Sequence, residues 1–389
     1  MESYKKTNTS NGYILMLLLA LTVASQFDGS TFEGTAKTVM YSMWCIVFLL
    51  YSFTLKCVDR TRYVLTGAAI IGVFVLQYAV AGIVIDNYNP PIIFPFITSF
   101  LFYIVGILFY RMGLTEMDLQ KALRIYCIMC FCLGLYIWFT HYGNLSNWFE
   151  IDQNLYNKKN SAGQILAVGA IISCYYLKSK SSLGKLINIA IAIGLTFIIM
   201  IIHCRTALIA LFVAILIPLF MMTNKKQRIV IILSIPLICL LAINIPFIQE
   251  LINKALYIDK FTATGEFTLN AFLSNRLDWF SAAFANFNQS IATILLGVGR
   301  SYVDNLFINV LTSSGIVGLI AILITYIERF ALNLKFQSTN DEYKLLKIMS
   351  IFYIVESFAE GLPPYGPGAC SVIFWFISGY CDVMYKEEM

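Results

Sequence analysis

The chain has 389 residues, a formal net charge of +5, 59% hydrophobic residues and only 13% charged, where an average soluble domain is about 25% charged. So apolar a composition excludes a soluble domain, which would expose more greasy surface than water tolerates. Apolar runs long enough to cross about 30 Å of hydrocarbon as helix recur throughout, with no intervening segment large enough to fold alone, so residues 1–389 read as one all-α, polytopic membrane domain.

Taken in chain order, a short polar start (Met1 to Asn11) with Lys5 and Lys6 precedes an apolar run that mimics a signal peptide but reads as an uncleaved first span. The expected spans are 13–27, 36–55, 63–85, 91–110, 122–140, 161–177, 186–203, 205–222, 229–248, 305–328, 345–360 and 367–385, twelve in all. Cys127, Cys130 and Cys132 fall inside the fifth, with no His or acid beside them, and read as membrane-buried thiols. The polar step His203-Cys204-Arg205 divides a run too long for one span into the seventh and eighth.

Two loops stand apart, 141–160 and 249–304. In the second, Leu273, Leu277, Phe280, Phe284 and Phe287 recur at spacings of four and three, an amphipathic helical stripe. It is read either as a substrate-gating helix at the membrane surface or as packing. With the N-terminus cytoplasmic, all but eight of the 27 Lys and Arg lie on the inner side, Arg329 among them. The eight outer ones are Lys37, Lys158, Lys159, Arg205, Lys254, Lys260, Arg276 and Arg300. The positive-inside rule therefore puts both termini in the cytoplasm.

Four ordered blocks gather toward the outer side: Lys159-Asn160-Ser161-Ala162-Gly163-Gln164; Cys204-Arg205-Thr206-Ala207-Leu208; Ser274-Asn275-Arg276-Leu277-Asp278-Trp279; and Leu296-Gly297-Val298-Gly299 with Asp304-Asn305 and Ser314-Gly315-Ile316-Val317-Gly318-Leu319. Glu356-Ser357-Phe358-Ala359-Glu360 and Phe374-Trp375 follow. In order and spacing, over residues 156 to 380, this resembles the O-antigen polymerase and ligase superfamily, which includes capsular and exopolysaccharide polymerases. The resemblance implies a helical bundle of the C-type glycosyltransferase kind, its site capped by the two outer loops. It also implies transfer of a glycan from a polyprenyl diphosphate carrier onto an acceptor sugar hydroxyl, at the outer face of a bacterial plasma membrane. No metal or cofactor is implied. The implied partners are the lipid-linked oligosaccharide, the bilayer, a chain-length regulator and a flippase, and no nucleic acid. Two departures matter. Cys204 stands where Ser is usual before the arginine, and Asp304 stands where ligases carry His, which favours polymerase over ligase.

The residues suit that chemistry. A diphosphate leaving group brings negative charge that arginine meets with a fixed fork of donors. Arg205 and Arg276 are the candidates, with Arg300, Lys159, Asn160 and Asn305 as further substrate contacts; snorkelling from a helix end is the plainer reading of an arginine here. The acceptor hydroxyl needs a base. Asp304 is the first candidate, although it also suits a helix N-cap, and Asp278 and Glu360 stand behind it. Glu356, inside a span, should face the bundle interior. His141 and His203, in separate loops, form no evident triad. A lipid-linked oligosaccharide flippase is the rival function; it would carry its charges along a central cavity through many helices.

Overall fold

The computed structural model describes residues 9–28, 32–55, 62–91, 93–143, 155–177, 181–222, 244–256, 276–335, 340–366 and 368–388. Every regular element among them is helical. In chain order they are α1 (Thr9–Ala24), α2 (Phe32–Leu55), α3 (Arg62–Val84), α4 (Phe94–Arg111), α5 (Glu116–Ile137, ending in a π-helical turn over Trp138–Tyr142), α6 (Lys159–Tyr175) and α7 (Ser182–Ile201). There follow α8 (Arg205–Met222), α9 (Pro246–Leu256), α10 (Arg276–Phe287), α11 (Ile291–Leu296), α12 (Leu306–Lys335), α13 (Asp341–Ala359) and α14 (Gly368–Glu388). Among the described residues, seven helices are long and apolar enough to cross a membrane, and α1 and α8 contribute shorter apolar stretches. The protein is thus an all-helical membrane protein. Each expected span coincides with a helix except 229–248, most of which lies outside the described residues, as does the 257–275 part of the long loop.

Helix ends follow local chemistry. α5 starts where the Thr115 hydroxyl accepts from the Asp118 N–H, and α7 where Ser181 does the same for Gly184. The core is closest at α4 against α14. A Cβ on Gly106 would run into the Phe376 carbonyl, and one on Gly379 into the Tyr103 carbonyl, so paired glycines let the two backbones touch. Trp44, Phe102, Phe109 and Phe376 pack edge-to-face around that seam.

One long helix is interrupted. At Gly315, within α12, φ is 67° and ψ is −172°, a conformation that belongs almost solely to glycine. The glycines of this stretch suggest close helix packing, and Gly318 does meet Phe74 of α3; Gly315 instead breaks the ladder. The carbonyls freed by the break find partners nearby. Val298 N–H donates to Thr312 O (2.8 Å), Gly299 N–H to Ser313 O (3.1 Å), and Gln77 Nε2 to Ser314 O (2.6 Å). The Gly297-Val298-Gly299 turn is therefore a cap for the first half of α12, which makes irregular backbone tolerable inside the bundle. An Ala at 315 would be strained in φ, and its Cβ would land on the Leu295 carbonyl. Gly315→Ala is expected to cost about 3 kcal/mol or more, read as a lower melting temperature in detergent; unchanged melting would mean that the helix can run straight.

Candidate active site

The blocks that stand apart in the sequence converge at the end of the bundle where α6, α8 and α12 begin and α13 ends. Asn160 is in the first turn of α6, Arg205 and Thr206 open α8, Arg276 opens α10, and Asp304 just precedes α12. Glu360 follows α13 with extended backbone (φ −137°, ψ 148°), so its side chain turns from the helix into this cluster.

Glu360 is the hub. It is 3% exposed and accepts from Asn160 Nδ2 (3.0 Å), Thr206 Oγ1 (3.2 Å) and Arg276 Nη2 (3.5 Å). Arg276 also reaches Asp304, Nε to Oδ2, at 3.3 Å. One guanidinium thus bridges two carboxylates, one buried and one partly open to solvent. Behind this layer a second repeats it one turn along each helix: Gln164 Nε2 donates to Glu356 Oε2 at 3.3 Å. Asn160 and Gln164 on α6 face Glu360, just past the end of antiparallel α13, and Glu356 on its last turn, both pairs four residues apart. Glu356 is fully buried, facing inward as its place in a span requires.

Burial is the main reason that the Glu360 carboxyl is pushed up to about 7, and the Asp304 charge adds to it; Arg276, Thr206 and Asn160 oppose the rise. A carboxyl poised there can exchange a proton near neutral pH. The first turns of α6 and α8 also bring the positive ends of two helix dipoles to this spot, which favours an anion. Cys204, where the resemblance expects Ser, lies 4.0 Å by its sulfur from Asn160 Oδ1, and burial pushes its thiol up to about 12, so it is an inert neighbour rather than a thiolate nucleophile.

No family model matches this chain, and no curated protein matches it.

The sequence-expected residues divide into those at the cluster and those beside it. Arg276, Asp304 and Asn160 are in it, and Arg205 and Lys159 are chain neighbours of Thr206 and Asn160. Asn305 is already engaged at both ends of its amide: its Oδ1 accepts from the Ile308 N–H, and its Nδ2 donates to the Phe358 carbonyl (both 3.0 Å). Asn305, not Asp304, caps α12, which removes capping as the reason for an acid at 304. Arg300 is exposed, its backbone N–H bonded to Asn89 O at 2.6 Å, and Asp278 is exposed on α10. Along α10 the expected stripe is covered progressively, from exposed Leu277 through half-buried Phe280 and Phe284 to buried Phe287; Leu273 lies outside the described residues.

Sequence reasoning ranks Glu360 behind Asp304 and passes over Thr206. The signal in the sequence is a polar residue at each of five helix ends, those of α6, α8, α10, α12 and α13. His141 also has a partner that sequence did not supply: its Nε2 is 2.9 Å from Asp28 Oδ2, and the Tyr136 hydroxyl donates to Asp28 Oδ1 at 2.5 Å. Lys158 Nζ holds the Phe27 carbonyl at 3.0 Å, so this group ties the α1–α2 connection to the start of α6.

Arg276 is what keeps two acids together. Arg276→Gln is expected to raise the Glu360 pKa further, because a cation that favoured the carboxylate is lost while Asp304 remains. Infrared titration of the purified protein, subtracting Glu360→Gln, should show the carboxyl band titrating near pH 7 and moving about one unit or more upward in Arg276→Gln. An unmoved midpoint would mean that the guanidinium does not govern this acid.

Proposed function

We propose that the protein is a polysaccharide polymerase, joining lipid-linked repeat units at the outer face of the bacterial plasma membrane. The observation that carries this is the meeting of Asn160, Thr206, Arg276, Asp304 and Glu360, each from a block of the resemblance and separated by up to 200 residues, around one buried carboxylate. Glu360 is the general base. The acceptor hydroxyl gives its proton to Glu360 as its oxygen bonds to the anomeric carbon, and the bond from that carbon to the diphosphate breaks. The polyprenyl diphosphate leaves with that electron pair, its charge met by Arg276 and Arg205.

Arg276 links the two halves of the reaction. A diphosphate draws the guanidinium toward itself, and Glu360 then loses the cation that held its proton affinity down, becoming a better base once the donor is bound. The rival flippase reading asks for charges along an open central path. Arg329 and Asp382, buried in the bundle, are instead closed on each other by two hydrogen bonds. The test is direct. Purified protein in proteoliposomes is given a polyprenyl-diphosphate-linked repeat unit, and products are resolved by size. A ladder of longer glycans is expected; translocation of the unit without elongation would replace the polymerase by the flippase.

A further inference from the structure

We propose that the groove between α12 and α14, at the end of the bundle opposite Glu360, is a binding site for an anionic phospholipid whose single phosphodiester is held by Lys335 and Lys386. The groove encloses about 750 Å³ and has Tyr63 of α3 at its edge, within the size range of small-molecule sites. Its wall is the exposed face of α12. Ile320, Ile324 and Ile327 line it at helical spacing and are all exposed, with Leu332 further toward the helix end. On a helix able to cross a membrane such a stripe faces acyl chains, not water.

The charges sit at one end of this stripe. Arg329 and Asp382 pair across the groove floor at 2.6 and 2.7 Å and so mark one level on the two helices. Lys335 lies six residues beyond that level on α12 and Lys386 four residues beyond it on α14, about 9 and 6 Å along the axes in the same direction. Both ammonium groups therefore come to the mouth while the isoleucines run back toward the bilayer middle. Neither lysine has an ion pair among the described residues, and the acid next to Lys386, Glu387, is taken by Arg111 at 2.6 Å. Glu328 also lines the groove but lies about two turns deeper than Lys335. With the Arg329–Asp382 pair cancelling itself, the groove carries a net charge of about +1, the complement of one phosphodiester. The mouth lies on the side to which the charge bias assigns the cytoplasm, where anionic headgroups meet basic residues. This site shares no residue with the Glu360 cluster and stands whatever reaction occurs there.

Native mass spectrometry of the purified full chain tests it, titrating phosphatidylglycerol and phosphatidylcholine of matched chains. One phosphatidylglycerol per chain should bind about tenfold or more tightly than phosphatidylcholine. Lys335→Gln and Lys386→Gln should each lower that binding about fivefold, and the double variant about 25-fold. Lys185→Gln, with its lysine on another helix, should change nothing. Ile324→Trp, which fills the groove but keeps both lysines, should weaken binding too, and millimolar inorganic phosphate should not compete. Equal binding of the two lipids, an unchanged double variant, or binding insensitive to Ile324→Trp each overturns the site. Should the double variant melt early, the single variants and Ile324→Trp decide between a lipid site and none.

Discussion

Glu360→Gln should lower chain extension about 10²-fold or more at neutral pH, the usual worth of a positioned base, with protein level and melting temperature near wild type. The substitution is nearly isosteric. The new amide oxygen can still accept from Asn160 while its NH2 donates to the Thr206 hydroxyl, which turns to accept, and Arg276 keeps Asp304. What disappears is the capacity to take a proton. The pH dependence carries a sign of its own. A base acts in its deprotonated form, and burial pushes Glu360 up to about 7. Wild-type kcat/KM for the donor, which reports the free enzyme, should therefore fall about tenfold per unit below pH 7 and level off above about 8, with the limb in kcat displaced upward. Asp304→Asn, which alters a more exposed acid, should cost less and move that acid limb to lower pH, because the Asp304 charge helps to push Glu360 up. If Asp304→Asn is the damaging change and Glu360→Gln extends chains normally, the base is Asp304 and Glu360 only orders the cluster.

A second large effect is expected far from the cluster. Arg329 is fully buried; its two terminal nitrogens meet the two oxygens of Asp382, its Nε donates to Asn333 Oδ1 at 2.9 Å, and the rings of Tyr63 and Tyr103 lie 5.4 and 5.7 Å from the guanidinium carbon. The Tyr103 hydroxyl also donates to Asp382. Asp382→Leu should destabilise by about 3–5 kcal/mol, because it leaves a buried cation without its partner. Arg329→Met combined with Asp382→Leu should recover most of that loss, since a pair replaced whole by apolar side chains leaves no orphan charge. Denaturation in mixed micelles reads both numbers. Additive damage in the double variant would mean that the pair stabilises in its own right.

The bundle was legible because a bilayer imposes a length rule on apolar runs, and that rule does not depend on which helix packs where. Ends moved by a few residues where caps decide them: 161–177 became Lys159–Tyr175, and 122–140 became Glu116–Ile137 once Thr115 was seen to cap it. The charge tally placed Arg329 in a loop on the inner side; it is buried inside α12 instead. A clue was present, since Thr325, Arg329 and Asn333 recur every four residues and form one buried polar face. Span prediction averages over that spacing and so overlooks it. At the cluster, sequence supplied the members but not their ranks. Asp304 stood out because it follows a glycine turn. Glu360, at the end of an apolar run, resembled an ordinary terminus until the starts of α6 and α8 were brought against it.

The Arg329–Asp382 pair also bears on how the chain is made. Synthesis runs from the N-terminus, so α12 leaves the ribosome with its arginine 53 residues ahead of the aspartate that neutralises it. A lone Arg costs about 2.5–3.5 kcal/mol to insert at the centre of a span and less toward its end, so Arg329, six residues before the end of α12, carries part of that cost while α13 is being synthesised. The charge of Arg329 on α12 is thus compensated only when α14 has been made and packs beside it.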